Sequence, residues 1–589
     1  MHFLLNKKQV FLPIIFFAFY ILAACCCRFL TTEHITLAED WGYIGVCSVL
    51  FVLSAGLFGF NRKSIRIFLI FIGFYMIGAL TKRFGGMILS EREIVHTFCF
   101  ATFLYAFCMI FGALGVMLQS KIVKTAVKIL SVLALLAPMV MVAYYLLNKA
   151  VFSSDIMLTL FQTNFNETLS YLKDQNIFAW GCAFVAIMVL LCTLFLSLGF
   201  EQPVQKFTKT IWSLSVFYLI FTAYDIGAKT NVHFVYNITR NTYETLKNFS
   251  AYNENRLSRL KEIENLKQNV VSPLENGVFV LVIGESETRD HMGAYGYNRP
   301  TTPFLQNIKD NENTILFSNA YSNHTHTVPT LSYALSGANQ YNNLDFDDAY
   351  SILEAAMAGG FETYFISNQP KDSVFLTPLS VMASTAEHQI WLNSAIGDKL
   401  STEYYDEALV DALKKIKPAS KSLIIVHMMG SHGAYRDRYP ADFKKFEGKG
   451  KVVDTYDNSI LYTDYVLEKL YREAKKMDHF EAFLYFSDHG DDPDNRLGHE
   501  SSRFTYRMSR IPLFLIASSD FAKTDIFSIL KQNSGAVFTN DLIYNLMLDM
   551  MQISGLENNQ DLYALSRPTY TLTKQNALTL HGQKRLSDE

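Results

Sequence analysis

Four stretches of this chain place reactive side chains where apolar runs stop. The run Val278 to Ile283 ends at Gly284-Glu285-Ser286. AFLYFS (482–487) ends at Asp488-His489-Gly490, and SLIIVH (422–427) ends on His427, with His432 five residues later. His499 lies on the loop after Asp488, and hydroxyls and imidazoles crowd Asn323-His324-Thr325-His326-Thr327-Val328-Pro329-Thr330. An Asp-His pair after a buried strand offers adjacent oxygen and nitrogen ligands to zinc. A hydroxyl beside a divalent cation at a helix N-terminus can lose its proton and attack phosphorus. On local sequence alone, an ordinary threonine N-cap with proline in the first turn explains the hydroxyl cluster better. Each ionisable group taken singly also fits a capping aspartate or a hydrogen-bonded core histidine. Their recurrence at strand ends is what points to a site.

The elements that position these groups alternate. Strand-like runs at 278–283, 315–317, 363–366, 423–426, 482–486 and 513–516 are separated by helical patterns near 328–336, 350–358, 404–415, 456–476 and 540–552. This order predicts an α/β domain with a mainly parallel central sheet. Ligands of such sheets sit outside the carboxyl ends of the strands, where Glu285, His427 and Asp488 fall.

Composition divides the chain. Half of the 589 residues are hydrophobic and 18% are charged, but residues 1 to about 226 are mostly long apolar runs and the remainder is ordinary. All eight cysteines, from Cys25 to Cys192, lie in the apolar part, whereas ten of the fourteen histidines lie at or beyond His291. A metal in the second part would therefore use His, Asp, Glu and hydroxyl ligands. A net charge of −3 without a basic stripe gives no sign of nucleic acid as a partner.

Seven spans are expected, near 9–28, 42–60, 65–81, 94–118, 124–147, 177–198 and 210–225, the first read as an uncleaved helix. Lys7/Lys8, Arg62/Lys63/Arg66, Lys121/Lys124/Lys128 and Lys206/Lys209 fall on one side, the expected cytoplasmic side. Residues 1–226 thus form an expected α-helical polytopic membrane domain, 227–270 a bridging connector with a charged helix at 256–267, and 271–589 an outer domain. Between spans, 153–174 reads as an amphipathic helix in which Thr159, Thr163 and Glu167 share a face. Either a solvated surface or a lipid-headgroup contact explains that face.

GESETRDHMGAYGYNRPTTP, HMMGSHGAYRDRYP, YDNSILYTDYVL and SDHGD together resemble the phosphoethanolamine transferases of Gram-negative envelopes, membrane enzymes of the alkaline phosphatase/sulfatase superfamily. The likeness covers nearly all of the outer domain and extends to QTNFNE and the last two spans. It implies zinc held by Glu285, Thr327, Asp488 and His489, with Thr327 as nucleophile and Thr325 as runner-up. It further implies that His427, His432 and His499 bind the phosphoryl group or a second metal, and that Thr163 and Glu167 contact the lipid headgroup. The implied reaction takes phosphoethanolamine from phosphatidylethanolamine through a covalent threonine intermediate to lipopolysaccharide or lipooligosaccharide. The implied place is the inner membrane, with the catalytic domain in the periplasm. Members acting on lipid A often carry disulfides in the outer domain, and the cysteine beside their nucleophile is Asn323 here. That departure favours a core-sugar acceptor over lipid A. Five spans are usual in the family, so two here resemble an N-terminal addition. A phosphoglycerol transferase, or a membrane-anchored scaffold without activity, are the competing readings. A sulfatase would need a Cys/Ser-x-Pro-x-Arg motif, which the chain lacks.

Overall fold

The computed structural model describes residues 45–47, 49–51, 62–85, 89–162, 177–200, 208–228, 234–254, 261, 263–342, 344–369, 378–393, 404–556 and 563–589. The backbone divides into two compact units, Met1–Met157 with Gln175–Tyr243, and Leu158–Asp174 with Glu244–Glu589.

The first unit is helical: α1 (Arg62–Phe84), α2 (Glu91–Met117), α3 (Lys121–Asn148), α4 (Ser154–Gln162), α5 (Ile177–Ser197), α6 (Thr208–Ala228) and α7 (Phe234–Glu254), of which α4 and α7 run on into the second unit's residues. Ser90 starts α2 with a capping box: its hydroxyl accepts from Glu93 N while Glu93 accepts from Ser90 N, satisfying two orphan donors. Among the described residues α1, α2, α3, α5 and α6 are long and apolar enough to cross a membrane. They correspond to five of the seven expected spans; the first expected span lies outside the described residues and only a fragment of the second is described. Phe51, Phe71, Phe98, Tyr105 and Tyr218 form the centre of this unit's core. The stretch expected as a polar connector contains the helix α7, with Ile238 packed beside Met141 and Val151. Of the amphipathic segment, α4 carries Thr159, whereas Thr163 and Glu167 lie outside the described residues.

The second unit is built on seven strands: β1 (Gly277–Gly284), β2 (Thr314–Phe317), β4 (Glu362–Ser367), β5 (His388–Trp391), β6 (Lys421–His427), β7 (Phe480–Ser487) and β8 (Leu513–Ala517). A short strand β3 (Asn319–Tyr321) follows β2 and pairs outside this sheet. The sheet order is β2-β8-β7-β1-β6-β4-β5, with β8 antiparallel to both neighbours and the remaining pairs parallel. Every residue of β1 is buried, because each face has its own core. Phe279, Leu281 and Ile283 pack with Leu331 and Ala334 of α8 (Thr327–Ala334), while Val278, Val280 and Val282 pack against the other layer. That layer includes Leu409 and Leu413 of α9 (Glu407–Lys415) and Val466 and Leu470 of α10 (Lys451–Ala474). Helices thus cover both sheet faces, as an uninterrupted apolar strand requires.

Candidate active site

The carboxyl ends of β1, β6 and β7 lie side by side, since Ile283 is in register with His427 and Gly284 with Ser487. No Cβ is tolerated at Gly284, where it would come 2.2 Å from the Tyr485 hydroxyl. Ser286 then takes φ = 60°, a left-handed conformation costly for a residue with a side chain. Two bonds hold it there: Ser286 N donates to Asp488 Oδ1 at 2.9 Å and the Tyr456 hydroxyl donates to Ser286 O at 2.7 Å. The strain turns the chain sharply directly after Glu285.

Four predicted residues converge at this edge. Thr327, first residue of α8, donates its hydroxyl to Glu285 Oε2 at 3.0 Å. His489 Nε2 stands 3.5 Å from Glu285 Oε1 and 3.4 Å from Asp488 Oδ2. Its other nitrogen, Nδ1, lies 3.1 Å from Gly490 O and donates to it, which leaves a lone pair on Nε2. Asp488 Oδ1 accepts from Ser286 N and His489 N. Asp488 Oδ2 and His489 Nε2 have no hydrogen-bond partner among the described residues, although both side chains are fully buried. Burial, and then the neighbouring charge of Asp488, push the Glu285 carboxyl well above the usual carboxylate range. Two buried carboxylates, a hydroxyl and an imidazole lone pair facing one point form a donor set that a divalent cation satisfies and a void does not.

The three further histidines surround this cradle unequally. The His499 ring lies 4.6 Å from that of His489, and its Nδ1 is 2.8 Å from Asp491 Oδ1. Burial disfavours charge on His499, but the Asp491 carboxylate outweighs it and raises the imidazole's pKa. His427 is buried at the end of β6, with both ring nitrogens unpartnered among the described residues, and burial pushes it down to about 4. His432 is pushed down to about 3, by burial first and by Arg438 second. Its loop is fixed by Asp406, which accepts from Met429 N and Gly430 N at 2.8 Å each. Gly430 has φ = 50°, and a Cβ there would lie 2.8 Å from Glu285 O, so the loop's approach to the first ligand depends on glycine.

Sequence reasoning missed Asp491, which the Tyr435 hydroxyl bonds at 2.5 Å, and His326, whose ring is 5.3 Å from that of His499. Asp491 had a local signal, standing two residues after His489 in the same motif. His489, Asp491 and His499 form a second group with ligand atoms close together.

The fold and its strand-end site define a class. Residues 278–552 match the family model described as Sulfatase. Several curated proteins named phosphoethanolamine transferases are similar to this chain. One is EptC of Escherichia coli, 27% identical over 462 residues, covering 69% of this chain and 77% of the relative. Another is CptA of Salmonella typhimurium, 27% identical over 440 residues, covering 67% and 74%. Among solved structures, the integral membrane lipooligosaccharide phosphoethanolamine transferase A of Neisseria meningitidis shares the fold. It is 18% identical, with a TM-score of 0.60 over 87% of this chain and 99% of that one.

Proposed function

We propose that this protein transfers phosphoethanolamine from phosphatidylethanolamine to a core sugar of lipopolysaccharide or lipooligosaccharide, with Thr327 as the covalent carrier. The observation that carries this reading is the Thr327 hydroxyl at a helix start, bonded to Glu285 and facing the unpartnered atoms of Asp488 and His489. Thr327 Oγ attacks the donor's phosphorus and gives its proton towards Glu285 Oε2. The bond from phosphorus to the glycerol oxygen breaks, and diacylglycerol leaves with a proton on that oxygen. An acceptor hydroxyl then attacks the phosphothreonine, and Thr327 recovers its hydroxyl. The start of α8 turns free N–H groups towards the phosphoryl oxygens, and His427, His432 and His499 bind them from the other side. Glu285, Thr327, Asp488 and His489 would hold zinc, which lowers the hydroxyl's pKa and offsets phosphoryl charge when bound.

The topology that accompanies this reading puts residues 227–589 in the periplasm and the helices in the inner membrane, with Thr163 and Glu167 at the donor's headgroup. The core-sugar acceptor is favoured by the outer domain's lack of cysteine, including Asn323 beside the nucleophile. Tandem mass spectrometry of glycolipid from wild-type and Thr327→Ala cells tests it, after mild acid separates lipid A from core. Phosphoethanolamine is expected to vanish from the core fraction; its loss from lipid A alone would refute the core-sugar assignment. Phosphoglycerol lost from the glycolipid instead would favour the phosphoglycerol transferase.

A further inference from the structure

Thr327 is delivered by residues 322–326, and this loop is held by a segment from far along the chain. Strands β10 (Leu578–Thr579) and β11 (Lys584–Arg585) form a small hairpin, and a third short strand, β9 (Val537–Thr539), pairs with β3 at the loop's start. Thr579 Oγ1 donates to Ser322 O at 2.8 Å, and His581 N donates to Asn323 O at 3.0 Å. Leu580, His581 and Gly582 all have positive φ, 52°, 50° and 82°, a left-handed turn that carries the imidazole over the loop. The ring stacks on Tyr333 of α8 with centroids 4.2 Å apart and planes 11° apart.

The hydrogen-bond inventory of Asn323 then assigns the contact that matters. Its Nδ2 has two protons, and both are used: one goes to Thr330 O at 3.0 Å and one to Asn540 Oδ1 at 2.9 Å. The remaining atom, Oδ1, can only accept, and the group facing it at 3.0 Å is His581 Nε2. Asn540 in turn donates from Nδ2 to the carbonyl of Asp488 at 2.6 Å. A continuous polar path therefore runs from the hairpin, through the loop that ends in Thr327, to the backbone of a cradle carboxylate. Asn323 is fully buried, so an Oδ1 left without its donor would have to find another partner by moving the loop.

We propose that His581 is a positioning residue: its Nε2–H fixes Asn323, which sets the loop carrying Thr327 and ties it to Asp488. This role rests on the transferase reading for its effect on rate, but not for its effect on the loop. Burial pushes the imidazole down to about 4, so the bond is made by a neutral ring and a neutral amide can replace it.

The test compares two space-filling variants of the full chain in detergent, loaded with zinc. His581→Phe keeps an aromatic ring on Tyr333 and removes the donor; His581→Gln keeps a donor near the Nε2 position and removes the ring. Three quantities are read: hydrogen exchange of amides 322–330, bound zinc, and steady-state transfer from phosphatidylethanolamine. His581→Phe is expected to speed exchange in 322–330 and to lower kcat about 10- to 100-fold, the range seen for residues that orient a reacting group. KM for the donor and zinc content stay within about twofold, since no zinc ligand or donor contact is itself substituted and Glu285, Asp488 and His489 lie outside the loosened loop. His581→Gln is expected to restore slow exchange and a kcat within about threefold of wild type. Unchanged exchange in His581→Phe, or a His581→Gln variant no better than His581→Phe, overturns the proposal. Wild-type protein with the expected exchange pattern but no transfer overturns the transferase reading and leaves the positioning role standing.

Discussion

Val189 in α5 and Val271 before β1 are exposed to almost the same degree, 59% and 58%, yet their surroundings are opposites. Around Val189 the outer faces of α5 also carry exposed Phe184, Val185, Met188 and Leu196, so the apolar side chain is one of many turned outward. Val271 is exposed on a unit whose central strand β1 is wholly buried, and its N–H is satisfied by Ser554 O at 3.0 Å. The first surface suits hydrocarbon as solvent; helices need nothing more than internal backbone bonds to be stable there. The second suits water, and there the apolar area is spent on the core. The difference reaches the polar groups too. The water-facing unit hides Glu285, Asp488 and His489 at 0% exposure, which is tolerable only where they face a common cation or one another.

The sharpest way to break this picture is at the hidden polar cluster. Thr327→Ala is expected to lower transfer by about a thousandfold or more, with phosphoethanolamine no longer found on the protein by peptide mass spectrometry. Thr325→Ala should leave measurable transfer, and an adduct mapped to Thr325 would shift the nucleophile by two residues. Removing one cradle ligand comes next. Asp488→Ala should lose bound zinc and activity together while circular dichroism stays unchanged, and chelation of wild-type protein should do the same reversibly. Zinc content unaltered in Glu285→Ala, Asp488→Ala and His489→Ala would falsify the cradle assignment.

The two valines supply a matched pair of smaller effects. Val189→Lys should cost about 3 kcal/mol of membrane insertion, read as a loss of inserted protein. Val271→Lys, on the water-facing unit, should change stability by no more than about 0.5 kcal/mol. Equal tolerance at both positions would mean that α5 does not face lipid. Orientation is sharpened by alkaline phosphatase fusions: one after residue 230 should be active and one near residue 203 inactive.

A further effect is in pH. The imidazole of His581 is held at about 4 in the folded chain, whereas an unfolded histidine titrates near 6.5. The unfolded state therefore takes up the extra proton, and this contribution to stability is complete above about 6.5 and is lost as pH falls towards 4. His581→Gln should flatten that loss by about 2.5 kcal/mol at pH 4.5 relative to pH 7.5. Thermal melting of the detergent-solubilised variants measures the difference, and parallel slopes would contradict it.

What the sequence made legible follows from how far each feature depends on distant partners. The six predicted strand runs all appear, because burial on both faces leaves an unbroken apolar signature such as Val278 to Ile283. Glu285, Asp488 and His489 were readable because they terminate those runs. β5 and β9 were not, since HQIW and VFT are short and β5 lies at the sheet's margin with polar residues among its four. α7 falls in the expected connector because its apolar stripe is thin: among its described side chains Ile238 and Thr242 are buried, and Asn and Thr recur along the helix. Asn540 and His581 carry no local signal at all: an asparagine after a three-residue strand and a histidine in a turn acquire meaning through distant partners, Asn323 and Asp488 for the one, Asn323 and Tyr333 for the other. Asp491 is intermediate, visible as a carboxylate beside the motif but identifiable as the partner of His499 only in three dimensions.

The place of β1 in the sheet has a consequence for the birth of the protein. It is the central strand, yet its neighbours β6 and β7 begin at residues 421 and 480. At ordinary synthesis speeds of 5–20 residues per second, roughly 10 to 40 s separate the appearance of β1 from that of β7. Throughout that interval GVFVLVIG is an apolar segment with both edges unpaired, the type of segment that joins other chains when left uncovered. The newborn chain thus passes through a period in which the strand buried deepest in the finished sheet is fully exposed. Helper proteins that bind extended apolar segments should find it there, and slowed synthesis between residues 284 and 480 should lengthen the exposure and lower the yield of folded enzyme.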